Sequence, residues 1–369
     1  MKKIIFSILG LLVMVALVSS CSKDDDISSE SIFNTEQQEM NEFDTWLYNN
    51  FTKPYNIEFR YRYIDSETDN DYNVIPADPE KAKAMAILIR ELWIGAYEAV
   101  FGSEFIKTYG PKVYQLLGSP EFSNGSIRLG YAESGVKIVL FRVNEIDPDN
   151  IFVNMDDAFR NHYEPPLDLN YWCFHTIHHE FCHILTQARN YSTDFQQISA
   201  GKYHTRDWIN VKDEDAPSEG FVSGYASSEY NEDFAEVFAT YVTSTDKVWK
   251  QILDQALIVT GTKPKLDANG KPIFKLDNDG NRIIKDYMYD QDGNPVLTMG
   301  PDGKLYYVFE YEVETEDTYD DTYYNAILQK LEMVKEYMSV TWGVNLEDLR
   351  QEVLRRTANV YNLDLKTLK

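Results

Sequence analysis

The sequence predicts an α+β fold. Two observations carry the prediction. In the first half, segments of strand period and helix period mix and are joined by hairpin-like turns, without strict β-α-β alternation. In the second half, stretches of helical period follow one another, interrupted by one turn-rich segment.

The elements follow in chain order. Lys2 and Lys3 open an apolar run from Ile4 to Val18, and Ser19-Ser20-Cys21 closes it. Such a run is short for a membrane span and has the plan of a signal peptide over 1–20. A cysteine at the cleavage point resembles a bacterial lipobox, with Cys21 lipidated; a plain secretory signal is the alternative. Residues 21–36 are polar and form a tether. Within it, Ser22-Lys23-Asp24-Asp25-Asp26 resembles a Bacteroidetes surface-export tag and is equally compatible with a solvated linker.

Helical pattern begins near Glu36 and includes Phe43, Trp46 and Leu47. Ile57, Phe59, Tyr61 and Tyr63 alternate with charged residues, which is strand period. Asp78-Pro79 is a helix start, a capping side chain before a proline, and that helix runs to about Val100. Lys112 to Leu117, Ser126 to Ala132 and Val136 to Val143 read as strands, separated by Gly118-Ser119-Pro120 and Ser134-Gly135. Tyr171 to about Arg189 is a helix with Phe174, Ile177, Phe181, Ile184 and Leu185 on one face. A second helix, Asn231 to Val242, turns Phe234, Val237, Phe238 and Tyr241 inward. A third covers Thr322 to Val340, and a fourth Leu346 to Val360.

Between the second and third, Asp267-Ala268-Asn269-Gly270, Asp277-Asn278-Asp279-Gly280, Asp290-Gln291-Asp292-Gly293 and Pro301-Asp302-Gly303 recur. Asn/Asp-Gly pairs at this rhythm mark hairpin turns and define an insertion over 262–310. A calcium-loop reading competes, since Asp277, Asp279 and Asp292 offer oxygens. It lacks a twelve-residue loop closed by a glutamate, so turns are the preferred reading.

The net charge of −25 opposes binding to a nucleic-acid backbone. Cys173 and Cys182 belong to no CxxC pair and read as small buried residues. His162 and His204 have no motif around them and read as surface residues, and His178 as a local packing residue.

The chemistry concentrates in His179-Glu180-Phe181-Cys182-His183. On a helix, His179 and His183 project from one face, where a single zinc ion takes both imidazoles. Glu180 sits beside them as general base toward a zinc-activated water. A metzincin extension needs glycine at 186 and histidine at 189, and the chain has Thr186 and Arg189. The third ligand is instead expected from Asn231-Glu232-Asp233-Phe234-Ala235-Glu236. Glu232 is the ligand and Glu236 the carboxylate that orients a ligand histidine; the reverse assignment is the alternative. His175 continues the same row and is a candidate substrate contact.

This pairing of His-Glu-x-x-His with Asn-Glu-x-x-x-Glu resembles the gluzincin metallopeptidases. The resemblance implies a zincin-like fold occupying 37–261 and 311–369: a small mixed sheet, an active-site helix and a helical C-terminal part. Some gluzincins place a tyrosine seven residues before the ligand glutamate. Tyr225 stands there, and its hydroxyl would stabilise an oxyanion. A narrower resemblance rests on Trp46 to Ile57, Lys137 to Phe141, His175 to Leu185 and Glu232 to Glu236. These look like the Bacteroidetes substrate import-associated zinc metallohydrolase lipoproteins, also called zinc-binding metallopeptidases. That family implies one catalytic zinc and an outer-membrane, surface-facing lipid anchor. It also implies proximity to a TonB-dependent transporter and its substrate-binding lipoprotein. By analogy with it, the strand Val136 to Phe141 lines the cleft edge. Cys182 departs from the small residue expected there, and is itself small.

Three functions share these residues: a peptidase acting on peptides or glycoproteins, a hydrolase of a non-peptide amide or ester, and a capture lipoprotein with structural zinc. The intact Glu180 favours the enzymes, because a structural site needs no base.

Overall fold

Ile138, Val139 and Leu140 are consecutive apolar residues, and a strand of that kind needs cover on both faces. In the computed structural model of the protein, Lys137–Leu140 (β6) lies inside a four-stranded sheet of order β1-β2-β6-β5. Glu58–Arg60 is β1, Val113–Leu116 is β2 and Gly130–Glu133 is β5. β1 runs parallel to β2, and β2 parallel to β6, with Phe59 opposite Tyr114 and Tyr114 opposite Ile138. β5 returns antiparallel to β6 and forms the sheet edge. The cleft-edge expectation is therefore corrected: β6 is internal and β5 is the edge that packs on the motif helix.

The structure describes residues 39–64, 74–123, 126–128, 130–133 and 136–369. The expected leader 1–20, Cys21, the tether 21–36 and the turn Ser134-Gly135 lie outside them. Among the described residues no helix is long and apolar enough to cross a membrane.

The first helix, α1, is Glu42–Leu47, and wider π-helical turns extend it over Tyr48–Thr52. The Asp78-Pro79 start holds: Asp78 Oδ1 accepts the N–H groups of Glu80 and Lys81 at 2.9 and 3.1 Å. From it run α2 (Pro79–Leu88), a π-helical stretch Ile89–Ile94, and α3 (Gly95–Phe101). Ser103–Tyr109 is α4. What reads as one strand over Ser126 to Ala132 is two: Ser126–Arg128 (β4) pairs with Glu121–Ser123 (β3), and β5 pairs with β6.

The motif helix α5, Thr176–Ala188, follows π-helical turns over Asn170–His175. It packs along α6, Tyr230–Thr243. Next comes α7, Asp246–Gln255, which the sequence reading passed over although Trp249, Ile252 and Leu253 form its buried stripe. The C-terminal pair is α8 (Thr322–Trp342) and α9 (Leu346–Ala358). Gly343 ends α8 with φ +72°, a left-handed cap that suits glycine.

Trp93, in the π-helical stretch, ties the layers together. Its ring lies 4.9 Å from Tyr97, 6.0 Å from Tyr114 on the sheet, and 4.9 Å edge-on from Phe181 on α5. The apolar face of α5 is thus fixed against both sheet and helix.

The insertion is a projecting ribbon, wider than 262–310. Ile258–Pro264 (β7) pairs antiparallel with Thr315–Asp320 (β12). Beyond them Ile284–Tyr287 (β8) pairs with Phe309–Tyr311 (β11), and Leu297–Met299 (β9) with Leu305–Tyr307 (β10). Three rings of backbone bonds close the arm. In each, one N–H donates to the next carbonyl around the ring, through Lys265, Ile273 and Glu314, then Lys275, Ile283 and Glu312, then Met288, Val296 and Val308. The Asp-x-x-Gly repeats form the turns. Asp277 Oδ1 accepts from the N–H groups of Asp279 and Asn281, and Gly280 takes φ +83°. Asp267 and Asp290 do the same. Backbone hydrogen bonds lower the Asp277 carboxyl below its ordinary range. These aspartates serve their own turns, which is the physical case for turns over calcium loops.

His178 lies fully inside, hydrogen-bonded through Nδ1 to Tyr97 Oη at 2.9 Å. Burial lowers its imidazole to about 3, so the ring is neutral. His162, expected at the surface, is half-buried, and its ring stacks on Tyr171 at 3.6 Å. Replacing Tyr97 by phenylalanine leaves the buried His178 nitrogen without its partner and is expected to cost about 1–3 kcal/mol in urea unfolding. A variant as stable as the parent would contradict this.

Candidate metal centre

α5 presents His179 and His183 a helical turn apart, and His175, the last residue of the π-helical turns before it, continues their row. α6 presents Glu232 and Glu236 in the same way from the facing helix. The two rows interlock. Glu232 Oε2 is 2.9 Å from His179 Nε2 and 3.1 Å from His183 Nε2, and the two Nε2 atoms are 3.0 Å apart. Two imidazoles and a carboxylate thus converge on a triangle with nearly equal edges. Ligand atoms around a tetrahedral zinc at ~2.0–2.1 Å stand roughly 3.3 Å apart, so the donor set and its spacing fit that ion.

Glu236 lies on the far side of His179. Its Oε1 is 2.7 Å from His179 Nδ1 and 2.8 Å from His175 Nε2, and its Oε2 accepts from Ser223 Oγ at 2.6 Å. This sets a carboxylate against the His179 nitrogen that faces away from the triangle, the position from which a carboxylate orients a ligand ring. The same carboxylate engages His175, the candidate substrate contact, through its Nε2.

Tyr225 reaches the site from a short turn, Tyr225–Ser227, with its ring 5.6 Å from His179 and Trp208 packed edge-on at 4.9 Å. Gly224 lets the turn sit there. A Cβ at Gly224 would lie 2.1 Å from the Val211 carbonyl oxygen, and its N–H donates to Asp213 Oδ1 at 2.8 Å. Glu180 is buried beside the triad, and its charge acts on both His179 and Tyr225.

The electrostatics follow from this crowding. Burial raises the Tyr225 hydroxyl far above its ordinary value, and the charges of Glu232 and Glu180 raise it further, so it remains a donor. Burial would raise Glu232 too, yet its bonds to His179 and His183 outweigh that and hold it well below the carboxylate range. For His179, burial works against the proton, while Glu232 and Glu236 outweigh it and raise the ring well above 6.5. A cavity of about 380 Å³ lined by Arg142, Phe152, His162 and Leu169, among others, contains none of these residues. The donor set, not the concavity, locates the centre.

The sequence pattern of the family described as "Putative zinc-binding metallo-peptidase" matches residues 36–347. The chain belongs to this family. A crystal structure of a Bacteroides caccae protein with the same description is similar at 28% identity and a TM-score of 0.57. The match covers 92% of this chain and 100% of that one. A comparison with curated proteins finds no match. Family and neighbour agree with the metal that the triangle fits.

The structure brings His179, His183 and Glu232 together, with Glu236 beyond His179 and Tyr225 and Glu180 beside them. Ser223, Asp213 and Gly224 were missed, since nothing local marks them; the nearest signal is Ser-Gly before the tyrosine.

The zinc form needs a neutral His179, whereas the metal-free chain holds a proton there above the ordinary pKa. Zinc binding near pH 7 is therefore expected to release a proton, and affinity to rise with pH as that proton is lost. Calorimetric titrations in buffers of different ionisation enthalpy measure this directly. Heats independent of buffer would contradict it.

Proposed function

We propose that the protein is a zinc-dependent peptidase, anchored by a lipid on Cys21 at the outer face of the outer membrane and serving nutrient uptake. The observation that carries the enzymatic part is the triangle of His179, His183 and Glu232, with Glu180 and Tyr225 at its border. The anchor rests on the leader and Cys21. The link to a TonB-dependent transporter and its substrate-binding lipoprotein rests on the family resemblance.

His179, His183 and Glu232 would hold the zinc, which when bound would supply Lewis acidity toward a water and a carbonyl oxygen. Glu180 takes the proton from the attacking water and passes it to the leaving amine. The Tyr225 hydroxyl, which keeps its proton, donates to the carbonyl oxygen as negative charge grows there. Glu236 and Ser223 hold His179 in one tautomer and orientation. β5, an open edge beside α5, offers backbone groups to an extended peptide or to the peptide part of a glycoprotein.

A proteome-derived peptide library tests the reading. Glu180→Gln is expected to keep its zinc and lose about 10²–10⁴-fold in rate. Tyr225→Phe is expected to lower kcat by about 10²–10³-fold with KM little changed. A zinc-loaded parent that cleaves nothing, and that Glu180→Gln does not alter, would leave only a capture protein. Cys21→Ala is expected to move the protein from the membrane to the soluble fraction.

A further inference from the structure

Lys330, on α8, is wholly buried, and its ammonium lies 2.6 Å from the equally buried Asp233 Oδ2. The same ammonium donates to the Gly220 carbonyl at 2.8 Å and sits 4.1 Å above the centre of the Phe221 ring. Tyr203 Oη donates to the same Asp233 oxygen at 2.9 Å. Asp233 Oδ1 is buried with no hydrogen-bond partner among the described residues.

Such a pair is a poor source of stability, because apolar side chains of similar volume often serve a fold as well or better. Its placement gives a better account of it. Asp233 directly follows Glu232 on α6. Gly220 and Phe221 open the segment that brings Ser223 to Glu236 and Tyr225 to His179. A single cation therefore grips two chain segments that must be in register at the centre. Gly220 suits this place through its backbone: it has φ +89°, a conformation that side-chain-bearing residues rarely adopt.

We propose that Lys330 is a positioning residue of the zinc centre: through Asp233 it sets Glu232, and through Gly220 it sets the turn carrying Tyr225. The inference rests on the zinc reading above. Lys330 contacts none of the ligand atoms and acts through its two partners.

The test uses the full chain and reads zinc affinity by competition with a chromophoric chelator, which requires no substrate. Lys330→Met is expected to weaken zinc binding about 10- to 100-fold, the range for residues that support ligands. That variant strands a buried aspartate and can fail to fold, so the double variant Lys330→Met/Asp233→Leu decides. With both charges replaced by apolar groups, its urea midpoint is expected near that of the parent, while its zinc affinity stays at least about tenfold weaker. A folded double variant with parental zinc affinity would show that the pair serves the fold alone and overturn the proposal. A parent that binds zinc without hydrolysing peptides would sink only the peptidase reading, so the two fail separately.

Discussion

His179 has a carboxylate at each of its ring nitrogens. Glu232 meets Nε2 at 2.9 Å and Glu236 meets Nδ1 at 2.7 Å, and both come from the same face of α6. That double contact sets the distance and rotation between α5 and α6 as no apolar packing would. A carboxylate displaced by one residue on α6 would face a different helix side. The cost is a dense group of acids, the buried Glu180, Asp233 and Glu236 and the half-buried Glu232, in a medium where like charges repel strongly. Buried charge on this scale is tolerated when cations and hydrogen bonds offset it. Lys330 provides positive charge beside Asp233, and at the triangle the dication would take the place of the proton that the metal-free His179 holds.

The remaining architecture keeps those two helices still. Phe181 points away from the centre into the Trp93 and Tyr97 rings, so α5 cannot roll without opening the aromatic core. Trp93 in turn meets Tyr114 on β2, which couples the motif helix to the sheet. On the other side, the turn carrying Tyr225 is pinned by backbone: Gly224 is pressed against the Val211 carbonyl and bonded to Asp213. Preorganisation of this kind matters because groups that stabilise developing charge are effective only if they need not move to do so.

What could be read in the sequence was whatever depends on a local period. The spacing of four between His179 and His183, and between Glu232 and Glu236, is a property of any helix, so the centre was legible once both segments were recognised as helical. The Asp-x-x-Gly turns were legible for the same reason, because an aspartate that caps its own turn needs no distant partner. The role of His175 was not, since its Nε2 partner comes from a helix 61 positions away. Nor was the edge of the sheet. Val136 to Phe141 and its neighbour have similar strand signals, and only the order β1-β2-β6-β5 decides which one is covered on both sides. The glycine at 224 and the lysine at 330 carry no signal at all without the atoms they touch.

The projecting arm shows how a long insertion can interrupt such a centre without disturbing it. It leaves the body after α7 and returns just before α8, and its last paired residues, Ile258 and Asp320, stand opposite each other. An antiparallel ribbon delivers the chain back to its point of departure, so the body needs only a short gap between α7 and α8. Inside the arm, stability is local. Each backbone ring closes with its own hairpin and the returning strand, and exposed pairs such as Lys265–Glu314 and Lys275–Glu312 add little to it. None of the arm's described side chains is fully buried, so it borrows nothing from the core that holds α5 and α6. The two parts meet at α8. That helix starts where the ribbon ends, with Thr322 bonded to Asp320, and two turns later it carries Lys330 to Asp233. Body and insertion are therefore separable in their packing and meet at one helix, whose position the buried Lys330–Asp233 pair fixes relative to Glu232.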